Sequence, residues 1–461
     1  MIIQIDKFDI IWTYLSKFLR IGQGLILLPL ILRFLPTDQI SIWALFSTIT
    51  ALISVFDLGF SNVFSRNLTQ ILSGKKVKLL DEGSSDDRNE DTLDLYSLKK
   101  LIIIMKKFYG YISLLLLLLL VTIGTYYIYY IGKDVENKTQ LYFSWAFLIG
   151  SSILNFFYNY LTIILESKGL IKETQKISVY GIMLSMVFAI VGIFMGYGLI
   201  AITFSGFISV LFNRFFLYRL YSKEIRPMIP NKIFAFDVSY FKEIWSVTYK
   251  VSIASISSIA IYRSGIIIIS LFLPLKEAGI FAFSMNLAFI LSEVSFMYFY
   301  THLPQVNSMV FHHDNSGLKK IFLSSIIMSF FSLFLGGFVL VFLGDYILHF
   351  IGSKMTLIPA IPFSFVILIL LLDQIQNMST FILFSENKLN YMWPYAISAT
   401  IIILSTLILC KLMPIYLSVI LPQFLIQLSF NYWFWPKQIF DKLEVKITDF
   451  KNCIPFNISK Q

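Results

Sequence analysis

Charge is scarce in this chain, and cysteine is nearly absent. Only 14% of the 461 residues are Asp, Glu, Lys or Arg, against about 25% in water-soluble domains. That is too little charge to clothe a soluble surface. The two cysteines, Cys410 and Cys453, fall in an apolar run and in the tail, which argues against a disulfide framework. No P-loop, nucleophile elbow or kinase-type motif occurs, so no nucleotide hydrolysis by this chain is expected to drive its work. His312-His313-Asp314 lacks further ligands at zinc spacing, and no metal or other cofactor is expected. The N-terminus shows no short apolar core followed by a small-residue cleavage site. Its first apolar run, from Ile10 to Leu35, is too long for a signal peptide and is expected to remain as a helix.

What the chain does have is hydrophobic length. Apolar runs recur over 10–35, 39–63, 108–131, 140–165, 177–196, 198–218, 245–273, 278–303, 320–344, 356–384, 392–411 and 413–435. Each approaches the roughly 20 residues that a helix needs to cross hydrocarbon. Barrel strands would alternate in polarity, and these runs do not. Because the backbone must satisfy itself in lipid, the chain is predicted to be an all-α polytopic membrane protein with 12 transmembrane helices.

Basic residues set the orientation. Of the 37, 28 lie at Lys7, in 64–107, 166–176, 214–250, 304–320 and 385–391, and in the tail from 436. The opposite loops hold only Arg33, Lys133, Lys138, Lys276, Lys354 and Lys411. Both termini are therefore expected to be cytoplasmic. The net charge of +10 is an orientation signal, and no nucleic-acid partner is expected. The outer turns, such as Pro36-Thr37-Asp38 and Gly196-Tyr197-Gly198, leave no room for a folded outer domain. Residues 81–91 are polar and of mixed charge, which predicts a mobile inner segment. Residues 219–244, with Pro227 and Pro230, read as a linker. The expected organisation is a six-helix lobe over 1–218, a cytoplasmic linker over 219–244, a second lobe over 245–435 and a tail over 436–461.

The two halves match. Phe34-Leu35-Pro36 leads through a polar turn to Ser41-Ile42-Trp43-Ala44. Phe272-Leu273-Pro274 leads to Gly279-Ile280-Phe281-Ala282, 238 residues later. Six spans per half is an even number, so the repeats run in the same membrane direction, an arrangement used by transporters.

Ile42-Trp43-Ala44-Leu45-Phe46, followed by Phe56-Asp57-Leu58-Gly59-Phe60-Ser61-Asn62-Val63-Phe64-Ser65-Arg66, resembles the polysaccharide transporter branch of the multidrug/oligosaccharidyl-lipid/polysaccharide (MOP) exporter superfamily. Wzx-type O-antigen flippases are its best-known members. The aromatic-Gly-Ile-Trp turn and the Asp-Leu-Gly motif carry the likeness, with Ser41 standing where the second half has Gly279. The resemblance implies two pseudo-symmetric six-helix bundles around a central cavity, MATE-like, in the bacterial inner membrane. It implies a flippase that moves undecaprenyl-diphosphate-linked oligosaccharide by alternating access, with membrane lipid as a further partner and H+ or Na+ as a candidate coupling ion. A multidrug exporter and a lipid II-type flippase are the alternatives.

Charges inside the spans are the candidate site, since the membrane tolerates few. Lys17 and Arg20 share a face of the first span. They would attract an anionic headgroup, although Lys17 also has the reach to snorkel to the surface. Arg263 is the sole charge of the seventh span beyond Lys250, which is counted with the inner segment, and it either contacts substrate or pairs with Glu293 of the eighth. Glu293 is a candidate for ion coupling. Asp57 serves there or as a loop anchor. Asp373, Gln376 and Asn377, spaced i, i+3, i+4 beside Gln374, either line a cavity or glue helices together. The aromatic clusters 126–130 and 432–435 read as interfacial belts.

Overall fold

The computed structural model describes residues 7–72, 95–133, 135–229, 238–386 and 388–452. The acidic segment 81–91 lies outside them. No strand occurs among the described residues. Ten of the described helices are long and apolar enough to cross a membrane. The protein is thus an all-α, multi-pass membrane protein. The chain divides into two compact units, residues 1–40 with 52–252 and residues 41–51 with 253–461.

Chain order in the first unit begins with α1 (Lys7–Phe34), α2 (Thr37–Ile53), α3 (Phe60–Leu72), α4 (Leu95–Leu119) and α5 (Thr125–Ile131). It continues with α6 (Lys138–Phe157), α7 (Asn159–Ser167), α8 (Ile171–Phe194), α9 (Gly198–Glu224) and the start of α10 (Val238–Ile269). The middle of α2 and the rest of α10 belong to the second unit. Within the first unit, α8 packs along α1 and α9, and α6 along α9. Gly192 permits the α8–α9 approach, since a Cβ there would lie 2.6 Å from that of Ala201. The first span runs unbroken through Pro29.

The expected second span, 39–63, ends early. A 3-10 turn over Ser54–Asp57 leads to Leu58 and Gly59, both at positive φ (53° and 73°). The chain then restarts as α3, a separate helix packed on α7 and α4. A side chain at Gly59 would be strained, and its Cβ would also lie 2.8 Å from Val251. The Asp-Leu-Gly motif is therefore a helix break.

The second unit continues with α11 (Leu275–Phe311), α12 (Asn315–Phe338), α13 (Gly344–Ile351), α14 (Ala360–Ser385) and α15 (Met392–Leu412). It closes with α16 (Leu417–Ser429), α17 (Asn431–Lys442) and α18 (Ile447–Asn452). The helix α11 packs on α12 and α14, and α14 on α17. The last expected span is split at Phe430 between α16 and α17. The pair Trp433–Phe434 stays at least partly exposed, but Tyr432 and Trp435 are buried. The expected belt at 432–435 is therefore half core. Trp435 is drawn inward because its indole N–H donates to Asn431 at 2.9 Å.

Polarity is inverted relative to a soluble bundle. On α12, Ser324, Ser325 and Ser329 are buried while Phe330, Phe331, Phe334 and Phe338 are exposed. Ser329 donates to the carbonyl of Ser295 on α11 at 2.9 Å. In lipid the outward face needs no polar cover, and small residues let backbones approach.

Candidate functional site

Arg263 projects from α10 toward α11. Its Nη1 donates to Asn286 Oδ1 at 3.0 Å, and its guanidinium lies 4.0 Å from the centre of the Phe289 ring. The Asn286 amide in turn donates to the Ala44 carbonyl at 3.1 Å. Phe289 and Glu293 follow Asn286 on one face of α11. The expected pair with Glu293 is not made, because no ion pair within 4.0 Å joins the two. Glu293 is exposed rather than buried. The guanidinium is half-buried, and one of its five N–H donors is used by Asn286.

Arg20 is exposed on α1 and makes no hydrogen bond or ion pair among the described residues. One turn on, Gln23 donates to Ser185 of α8 at 3.2 Å, which fixes that face of α1. The side chain of Lys17 lies outside the described residues.

Asp57 is a loop anchor in this structure. Its Oδ2 accepts from the backbone N–H and hydroxyl of Ser61 at 3.2 and 2.7 Å, and its Oδ1 accepts from the Tyr109 hydroxyl at 2.7 Å. Asn159 reaches that same hydroxyl at 3.5 Å. Both the turn before α3 and the α6–α7 break are thus tied to α4.

The polar stripe of α14 is deeply buried. Asp373 is 2% exposed, Gln374 3% and Gln376 0%. Gln374 Nε2 donates to the Ser292 carbonyl and hydroxyl at 2.9 and 2.7 Å, and Gln376 Nε2 donates to the Tyr395 hydroxyl at 2.5 Å. Asn377 is half-buried beside Tyr262. The hydroxyls of Tyr262 and Tyr432 lie beside the Asp373 carboxylate, yet neither carboxylate oxygen accepts a well-formed hydrogen bond among the described residues. The Gln374 and Gln376 Oε1 atoms are likewise buried without a donor. A buried carboxylate that faces only two tyrosine hydroxyls and no cation is costly unless it is neutralised by a proton or a cation. The stripe glues α14 to α11 and α15 through its amides, while its carboxylate is left over.

Sequence reasoning overlooked Arg214, counted there as an inner-loop cation. The structure sets it within α9, with Nη1 donating to the Tyr158 carbonyl and Thr162 hydroxyl at 3.1 and 3.0 Å and Nη2 donating to Asn155 Oδ1 at 2.6 Å. It straddles the break between α6 and α7 and satisfies a carbonyl there. The polar positions 155, 159 and 162 within an apolar run were the available signal.

No protein-family model and no curated protein matches the chain. Solved structures do match it. An inward-facing multidrug resistance MATE family transporter of the MOP superfamily aligns with TM-score 0.60 at 10% identity, covering 93% of this chain and 95% of that one. A MOP superfamily transporter from Pyrococcus furiosus, described by a reverse polarity of its binding pocket that suggests a different function, aligns with TM-score 0.51 at 11% identity, covering 95% of each chain. The lipid II flippase MurJ in an inward closed conformation aligns with TM-score 0.51 at 15% identity, covering 97% of this chain and 89% of that one. At such identities the likeness establishes the fold, which is that of MATE-like MOP superfamily transporters.

Proposed function

We propose that this chain is a flippase that carries an undecaprenyl-diphosphate-linked oligosaccharide, an O-antigen or capsule repeat unit, across the bacterial inner membrane by alternating access. The observation that carries the reading is the state of Arg20 and Arg263. Arg20 is exposed without a partner among the described residues, and Arg263 is held by an amide rather than by an acid. A planar guanidinium with free donors suits the paired oxygens of a diphosphate. Both residues sit in helices expected to cross the membrane, where a lone cation is costly unless it serves a ligand. The chain acts as a transporter and not as an enzyme in this reading, with both termini in the cytoplasm.

Asp373 is the favoured coupling residue, replacing Glu293. A buried carboxylate beside tyrosine hydroxyls and glutamine oxygens takes up a proton or Na+ to settle its charge. Exposed Glu293 has no such need.

The test is made in a strain dependent on this chain for surface glycan. Arg20→Ala and Arg263→Ala are expected to lower surface glycan and to leave lipid-linked repeat units on the cytoplasmic leaflet. Each removes charge-assisted contacts whose loss weakens headgroup binding by about tenfold or more. Normal glycan with altered sensitivity to cationic dyes would instead favour a multidrug exporter, a reading that the MATE-like fold also supports. Loss of peptidoglycan precursor transport with intact glycan would favour a lipid II-type flippase.

A further inference from the structure

The end of the first unit that carries the basic loops holds an arrangement that transport through Arg20 and Arg263 does not use. Lys106 of α4 is exposed, with its Nζ 5.6 Å from the Tyr160 ring centre and 5.3 Å from that of Tyr221. The two rings meet edge to face with centres 6.4 Å apart. Both tyrosines are buried, so they form a rigid shelf on which the ammonium rests. Arg226 is exposed in the 3-10 turn just past α9, five residues beyond the Tyr221 that holds Lys106, and its like charge reaches Lys106. Its backbone is fixed by the fully buried Ile225 and by a 3-10 turn in which Met228 N–H donates to the Ile225 carbonyl at 3.0 Å.

Neither cation has a carboxylate partner among the described residues. Other cations of the basic loops do, since Lys168 pairs with Glu224 at 3.1 Å and Lys319 with Asp449 at 2.5 Å. Like charges fixed on neighbouring elements repel one another, and an anion bound by both relieves the repulsion. Lysine meets phosphate as a point charge and arginine as a fork. The aromatic shelf with an apolar body and a polar rim suits a membrane interface. Further along α4, Tyr111 and Leu114 are exposed and offer apolar surface to a lipid chain, which a free phosphate would not use.

We propose that Lys106 and Arg226, on the Tyr160–Tyr221 shelf, form a recognition subsite for the phosphate of a membrane lipid headgroup. The subsite stands apart from the transported-substrate reading, because it asks only for equilibrium binding at one end of the first unit.

The test uses the full chain, purified in detergent, and titrations of phosphatidylglycerol and inorganic pyrophosphate followed by microscale thermophoresis. The unmodified protein is expected to bind phosphatidylglycerol, a headgroup that the transport reading does not assign to Arg20 and Arg263, more tightly than inorganic pyrophosphate. The K106Q/R226Q double variant is expected to bind that lipid about tenfold or more weakly, with an unchanged melting midpoint and Arg20 and Arg263 intact. Should the double variant unfold, Arg226→Gln alone, at an exposed position, is read in the same way. Phosphatidylglycerol affinity undiminished in the variant, no phosphatidylglycerol binding by the unmodified protein, or pyrophosphate bound as tightly as the lipid would each overturn the proposal. A failed glycan assay with Arg20→Ala leaves this outcome untouched.

Discussion

Burial and pairing decide what each charged side chain does here. Asp373 is the clearest case, because its carboxylate is buried yet accepts no well-formed hydrogen bond. Asp373→Asn keeps the shape and removes the charge. The melting midpoint of the variant is therefore expected to hold or rise, since a buried charge with no cation to pair with is a cost. Its transport is expected to lose its dependence on proton or Na+ gradient. A melting midpoint lowered by more than about 5 °C, which is roughly 1–2 kcal/mol for a domain of ordinary size, would show that the charge is structurally needed and sink the coupling role. Arg263 illustrates the opposite state, with an amide and an aromatic face as company and most of its donors unused among the described residues. Arg214 uses its donors on the chain itself, so it holds α9 to the α6–α7 break rather than waiting for substrate.

Elements meet where small residues allow it. Ser41 of α2 and Gly279 of α11, equivalent positions of the repeat, pack directly on each other. A Cβ at Gly279 would fall 2.6 Å from the Ser41 Cα. Backbone cannot yield as a flexible side chain does, so Gly279→Ala is expected to destabilise by about 1–3 kcal/mol. Ser41→Gly in the same chain is expected to restore part of that loss. A thermal-melt double-mutant cycle measures the coupling, and strictly additive effects would rule out the contact. Near the C-terminus, α18 is tied to α12 through Lys319, which pairs with Asp449 and donates to the Glu444 carbonyl at 2.8 Å. The Lys319 side chain, with help from the Lys446 backbone N–H, holds the Asp449 carboxyl below its ordinary value of 3.8. A depressed carboxyl stabilises the folded form above its ordinary value and stops doing so as pH falls through the lowered one. Protection of the amides in 447–452, taken relative to the intrinsic exchange rate at each pH, is therefore expected to hold from neutral pH down to about 4 and to fall only below it. Asp449→Asn should show low protection at every pH; protection already falling near pH 6 would show that another group governs the docking.

At the scale of the whole molecule, duplication is written more deeply in the backbone than in the residues. A five-residue π-helical segment interrupts the third long helix of each half, over Leu120–Gly124 and Val339–Leu343, after α-helices of 25 and 24 residues. A glycine accompanies each, Gly124 against Trp145 and Gly344 against Leu357, so a neighbouring side chain can press on the widened turn. No residue match announces this pair, because a π segment is set by what packs against it. The membrane class and the helical spans were legible in the sequence, since hydrocarbon thickness and backbone satisfaction act on every stretch of chain locally. The matching Phe-Leu-Pro turns were legible for the same reason. Helical spacing also placed Asp373, Gln376 and Asn377 on one face. It could not say that Arg263 meets Asn286 in preference to Glu293, that Tyr432 and Trp435 turn inward, or that Arg214 belongs inside a helix bundle. Such choices depend on which helix lies opposite and how each is rotated about its axis. Packing between residues far apart in the chain settles both, and no local period records it.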